Sequence, residues 1–156
     1  MSHIIGTVPL LIFLAFGTHL SRTDLLQHRL PNKTVFRLIA GLIVCEAVLS
    51  WSGVGKHDLY DSLLVAAKTV LVYIALYGLS RGQFGLGDVK YSIATGLVIG
   101  WYAPSQWFLS IMVSFFFAAI VSVFLLATKR MTKTDRIAFG PYMTAATVIV
   151  ALFSFH

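Results

Sequence analysis

Long apolar stretches separated by short polar ones set the pattern of this chain. Apolar runs occupy about 4–21, 35–51, 62–79, 89–103, 106–128 and 138–155. A membrane-spanning helix needs about 20 apolar residues, with a range of about 17–25. Four runs meet that comfortably, the second is marginal and the fourth is short. The pattern predicts an all-α integral membrane protein, a six-transmembrane-helix bundle. No repeat, low-complexity tract or linker divides it, so residues 1–156 read as a single membrane domain.

The polar segments alternate in charge. Arg22, Arg29, Lys33 and Arg37 follow the first run, Arg81 and Lys90 the third, and Lys129, Arg130, Lys133 and Arg136 the fifth, whereas the second and fourth loops hold only Lys56. Short loops rich in Lys and Arg stay on the cytoplasmic side, which places both termini outside. Trp51, Trp101, Tyr102 and Trp107 all fall near the predicted outer ends, as an interfacial aromatic belt would. The amino terminus, Met1-Ser2-His3, lacks the basic region of a cleavable signal peptide, so the first run reads as a retained span.

Composition sharpens this picture. Hydrophobic residues make up 58% and charged residues only 12%, about half the charged share of a soluble domain. A net charge of +6 would suggest nucleic acid in a soluble protein. Here its distribution encodes topology, and membrane lipid rather than nucleic acid is the expected surrounding. Cys45 is the only cysteine, which excludes an intrachain disulfide and any multi-cysteine zinc module.

Two charges lie inside the runs. Glu46, five residues before Trp51, and Lys68, about six residues into the next run, sit at similar depth on antiparallel neighbours. They read as a structural ion pair that avoids the cost of either charge alone, with a proton relay as the functional alternative. Gly96 and Gly100 form a small-xxx-small pattern that lets another helix approach closely.

Of the six acidic residues, the five besides Glu46 remain to be sorted. Asp58 and Asp61 belong to an outer loop, and Asp135 sits among basic residues as a local counter-charge. Asp24 and Asp88 each stand at the cytoplasmic end of a span. Asp88 closes Gly85-Leu86-Gly87-Asp88, where two glycines widen the backbone's choice of conformation and clear space for a second, extended chain. A helix-entry loop capped by Asp88 explains the motif as well. Counted back from Trp101 to Val89, the fourth run is only about 13 residues, or roughly 20 Å. Against a hydrocarbon core near 30 Å, Asp88 should lie recessed, where an ionisable group survives only inside protein or beside water. Asp24 opens a segment ending Arg29-Leu30-Pro31-Asn32, in which Pro31 stops a helix and Asn32 favours a turn or cap. Alone it would read as a loop carboxylate beside Arg22 or Arg29.

Together these segments resemble the type IV prepilin peptidases of the GxGD aspartic proteases. Asp24 with Arg29-Leu30-Pro31-Asn32 resembles the family's first motif, Gly85-Leu86-Gly87-Asp88-Val89-Lys90 matches GxGDxK, and Phe139-Gly140-Pro141 resembles the tripeptide opening its last span. The resemblance implies that Asp24 and Asp88 are the catalytic pair, with Gly85, Gly87, Lys90, Arg29, Pro31 and Asn32 shaping the site. It implies an endopeptidase that removes the leader of prepilin-like proteins at the cytoplasmic face, without metal or cofactor. The larger members carry a cytoplasmic insertion with cysteine pairs and also methylate the new amino terminus. This chain has neither the insertion nor the cysteine pairs, so it resembles the short, peptidase-only forms, including those serving Flp/Tad pili and archaellin-like systems. Tyr91 stands where the family usually has an aliphatic residue. Lys90 could contact a substrate acid, tune Asp88 or anchor the helix at the interface.

Other readings predict other features. A small ion-coupled transporter would line several spans with polar residues near midplane, where Val, Ile, Leu, Phe and Ala predominate. A non-catalytic pilus-assembly partner would have no need of two aspartates. A zinc protease lacks H-E-x-x-H, a serine mechanism has only Ser52 with His57 on the outer face, and His19 and His28 flank Asp24 without matching metal ligands.

Overall fold

The computed structural model describes residues 6–54, 58–80, 84–129 and 137–154. The readings made for residues 1–3, Lys56, His57, Arg81 and the basic run at 130–136 with Asp135 lie outside the described residues. Six α-helices and no strand appear among the described residues: α1 Val8–Gln27, α2 Asn32–Trp51, α3 Leu59–Leu79, α4 Leu86–Tyr102, α5 Trp107–Ala127 and α6 Gly140–Phe153. A 3₁₀ turn, Pro104–Gln106, joins α4 to α5. Asn32–Trp51, Leu59–Leu79 and the stretch Pro104–Ala127 are long and apolar enough to cross a membrane. Large apolar side chains such as Leu11, Val44, Leu71, Phe116 and Val123 face outward, as they do in a helical membrane protein.

The helices start and stop where local chemistry dictates. Pro9 and Pro141 sit in the first turns of α1 and α6, where no amide partner is needed. Asp58 caps α3 by accepting from the Asp61 amide at 3.1 Å. α1 runs on past its apolar stretch to Gln27 and stops at His28, whose left-handed backbone (φ 48°) aims its N–H at the Asp24 carbonyl. Asp24 is therefore a helix residue, not a loop carboxylate.

α4 is the central helix. It packs against every other helix, most extensively against α3, and from Val89 to Trp101 nearly all its side chains are buried. A helix apolar on all sides belongs inside protein, and that enclosure lets α4 be short. It also corrects the aromatic belt: Trp51 is 94% exposed, but Trp101 is 2% exposed and belongs to the core. At the C-terminal end of α4 the Tyr102 hydroxyl donates to the Gly6 carbonyl at 2.7 Å and accepts from the Leu10 amide at 3.2 Å. The end of α4 thus serves one of the amides that the first turn of α1 leaves unpaired.

The predicted Glu46–Lys68 pair is not formed. Glu46 is 0% exposed, in line with Val35, Leu38, Leu42 and Leu49 on the inner face of α2. Lys68 is exposed, outside the buried stripe Ser62, Val65, Ala66, Thr69, Tyr73 of α3. Equal depth does not bring side chains together when they point to opposite sides of a helix pair. Glu46 faces Ser62 instead, yet neither its carboxylate oxygens nor Ser62 Oγ reaches hydrogen-bond geometry. Lys68→Met is accordingly expected to leave thermal unfolding in detergent within about 0.5 kcal/mol of wild type. In a double-mutant cycle with Glu46→Leu, a coupling clearly above about 0.5 kcal/mol would restore the pair.

Candidate active site

Asp24 and Asp88 meet at the end of the bundle where α1 finishes and α4 begins. Asp24, one turn from the end of α1, is 5% exposed. Its Oδ2 accepts the Gly140 amide at 2.9 Å, a contact between residues 116 apart in sequence. Gly140 opens α6, so its amide is a helix N-terminal donor and suits a carboxylate. A side chain at Gly140 would crowd that carboxylate, since a Cβ there would lie 3.0 Å from Asp24 Oδ2.

Asp88 is the third residue of α4, not its cap. Gly85 caps the helix with extended backbone, and the Asp88 carboxylate turns back to the Gly85 N–H, the reciprocal half of a capping box. A Cβ on Gly85 would sit 2.9 Å from Asp88 Oδ2, and one on Gly87 would press on Leu30 at 3.2 Å. Gly85 has φ −78° and α4 already includes Gly87, so these glycines supply space rather than unusual backbone. Among the described residues, the helical start at Leu86 leaves Phe84 and Gly85 ahead of α4 for extended pairing with a second chain.

Little of the Asp24 surface is open and Asp88 is partly exposed, yet burial is the largest influence on both carboxyl groups. The two carboxylates are close enough to interact. Both stand outside the apolar runs 4–21 and 89–103. Burial and then the negative charge of Asp24 push Asp88 up to about 7, against the pull of the Gly85 N–H. Burial raises Asp24 as well, opposed by the Gly140 N–H and by His28. Each carboxylate disfavours ionisation of the other, so the two titrate as a pair.

An aromatic cluster closes this end. Phe84 and Phe139, the residues just before Gly85 and Gly140, meet edge to face at 5.4 Å. Tyr73 tilts against both at 5.6 and 6.3 Å, and Phe115 lies 4.8 Å from Phe139. The two segments that present Gly85 to Asp88 and Gly140 to Asp24 are thereby held together. Of these rings the sequence pointed only to Phe139. Tyr73, Phe84 and Phe115 carried no local signal beyond their apolarity.

The remaining predicted site residues divide. Lys90 Nζ donates to Asn32 Oδ1 at 3.0 Å and lies 6.0 Å from the Phe36 ring centre. It thus joins the first motif to GxGDxK rather than pairing with Asp88. Pro31, not Asn32, is the cap of α2, which frees the Asn32 side chain for Lys90. Pro31 is partly buried beside buried Leu30, and Arg29 is exposed.

An all-helical membrane protein with two interacting carboxylates under aromatic cover is a framework suited to hydrolysis without a cofactor. Comparison supplies the family: the family model described as the type IV leader peptidase family matches residues 11–127, and the chain belongs to that peptidase family. Neither a curated protein nor a solved structure matches it. The family match ends before α6, so the Gly140 contact to Asp24 is a contribution of the structure.

Proposed function

We propose that this protein is a GxGD-type aspartic endopeptidase that removes the leader of prepilin-like proteins, such as type IV pilin, Flp/Tad pilin or archaellin-like chains. The observation that carries the reading is the coupled pair Asp24–Asp88, with a helix N-terminal amide fixed on Asp24, in a chain of the leader peptidase family. The ionised carboxylate takes a proton from water as its oxygen bonds to the scissile carbonyl carbon, and the protonated one gives its proton to the carbonyl oxygen. Collapse of the tetrahedral adduct breaks the C–N bond: the leaving nitrogen takes the proton acquired from water, and one hydroxyl of the adduct returns its proton to the other carboxylate as the carbonyl re-forms.

The chain acts as one membrane domain with six spans in the cytoplasmic membrane, both termini outside and the site facing the cytoplasm. Arg22, Arg29, Lys33, Lys90 and Lys129 at the end that carries the aspartates support that orientation. Basic surroundings repel a basic leader, so recognition rests on the substrate's apolar segment. An open groove between α1 and α6, lined by Leu14, Thr18, Leu25, Ala145 and Val148, supports this. It reaches Pro141, the neighbour of the Gly140 that holds Asp24. Purified protein in detergent or membranes should cleave a prepilin-like substrate at the leader junction, and a folded preparation that leaves such substrates intact would remove the proposal.

The pair predicts a pH profile. The active form holds one proton, seated on Asp88, so activity is lost as pH rises through about 7 and that proton leaves. On the acid side activity is lost as Asp24 gains a proton, at a pH below the Asp88 limb. Steady-state rates measured across pH should give a bell whose upper limb lies near neutrality.

A further inference from the structure

One turn deeper than the aspartates lies a second tier of contacts drawn from the same three helices. Asp24 has Ser21 one turn before it on α1, Asp88 has Tyr91 one turn after it on α4, and Gly140 has Thr144 one turn after it on α6. The three deeper residues bond to one another. Thr144 Oγ1 lies 2.8 Å from the Tyr91 hydroxyl, 2.9 Å from Ser21 Oγ and 2.9 Å from the Gly140 carbonyl.

Hydrogen counting fixes the directions. A hydroxyl has one donor and two acceptor sites, and the Gly140 carbonyl can only accept. Thr144 therefore donates to Gly140, and Tyr91 and Ser21 both donate to Thr144. Tyr91 is 0% exposed and stacks on Phe13 at 5.9 Å, within 7° of parallel. Gly17 leaves room for the junction, since a Cβ there would come 3.0 Å from the Tyr91 hydroxyl and 2.9 Å from Thr144 Cγ2.

We propose that Thr144 is a positioning residue: with Tyr91 and Ser21 it locks α6 against α1 and α4, so that the Gly140 N–H stays on Asp24. Tyr91, which replaces the aliphatic residue usual after GxGDxK, then supplies a tether that an aliphatic side chain cannot. The Gly140 amide acts on the ionised form of Asp24, so a loosened α6 shows in the proton affinity of that carboxylate. Among the described residues, the titratable groups facing Asp24 are Asp88 from α4 and His28 from the end of α1, and α6 contributes the Gly140 amide.

The inference rests on the leader-peptidase reading for its rate measurement, so amide exchange provides a readout independent of cleavage. Wild type, Tyr91→Phe, Thr144→Val and Thr144→Ser are compared. In the phenylalanine and valine variants kcat should fall about 3- to 30-fold with KM nearly unchanged, consistent with loss of a hydrogen bond that serves a charge. The acid limb should move to higher pH by a few tenths to about one pH unit, and the Gly140 amide should exchange faster. Thr144→Ser keeps the hydroxyl and should return both readouts toward wild type. If Thr144→Val does not fold, Tyr91→Phe carries the test, because its ring still stacks on Phe13.

Unchanged acid limb and Gly140 exchange in folded Tyr91→Phe would overturn the proposal. So would a uniform loss of rate in which Thr144→Ser fares no better than Thr144→Val, the mark of packing alone. Failure of wild type to cleave, with Gly140 exchange still responding to Tyr91→Phe, would count against the function and leave the tether standing.

Discussion

Replacing either Asp24 or Asp88 by asparagine is expected to lower kcat/KM for leader cleavage by about 10²–10⁴-fold or to background. Asparagine keeps the shape of the side chain and an oxygen that can accept from Gly140 at position 24 or from Gly85 at position 88. Thermal stability in detergent should therefore change little, which separates lost chemistry from lost fold. Because the two carboxylates share one proton and act as a unit, the double variant should be scarcely worse than either single one. Losses that multiplied in the double variant would mean that the residues contribute separately, and full activity in a folded single variant would end the dyad assignment.

Much of this site could be read from sequence because its parts are local. Gly85-Leu86-Gly87-Asp88 declares a helix entry with space around a carboxylate, and the basic residues beside Asp24 and Asp88 assign both to one end of the bundle. The apolar runs located every helix, and they missed ends such as Arg22–Gln27 because backbone hydrogen bonding continues where hydrophobicity stops. What escaped was direction and distance. Depth matched Glu46 to Lys68, yet the inner stripe through Leu42, Glu46 and Leu49 and the stripe through Val65 and Thr69 exclude Lys68. That signal was in the sequence, in the helical period rather than the residue count. The Gly140 contact to Asp24 and the meeting of Phe84 with Phe139 join segments more than 50 residues apart, and no local pattern encodes them. The short fourth run pointed to a recessed Asp88, whose carboxyl is shifted chiefly by burial, and enclosure by protein gives a second reason for the shortness of α4.

Gly96 and Gly100 set the height at which α4 presents Asp88, and substitutions there should cause the largest loss of folded protein. The two helices pack in antiparallel register, Gly100 over Ser62 and Gly96 over Ala66, each pair one turn from the next. A Cβ on Gly96 would come 2.6 Å from the Ala66 Cα, and one on Gly100 would meet the Ser62 Cα and lie 2.8 Å from the Asp61 carbonyl oxygen. These are backbone atoms, which cannot rotate aside as a side-chain tip can. Relief requires α3 and α4 to separate along the most extensive contact in the bundle. Gly96→Val and Gly100→Val should each cost about 3 kcal/mol or more, above the usual penalty for overpacking, and appear as low yield and a depressed unfolding midpoint. Gly41→Ala and Gly78→Ala are the controls: a Cβ there meets nothing within 4 Å, and alanine in a helix should stabilise by about 0.5–1 kcal/mol. The milder Gly96→Ala links packing to chemistry. Asp88 lies two turns before Gly96 on the same helix, while α1, which carries Asp24, is tied to the far end of α4 through Tyr102. A displaced α4 would shift the two carboxylates relative to each other, so activity in Gly96→Ala should fall further than its remaining folded fraction explains. Activity proportional to folded protein would show instead that these glycines serve stability alone.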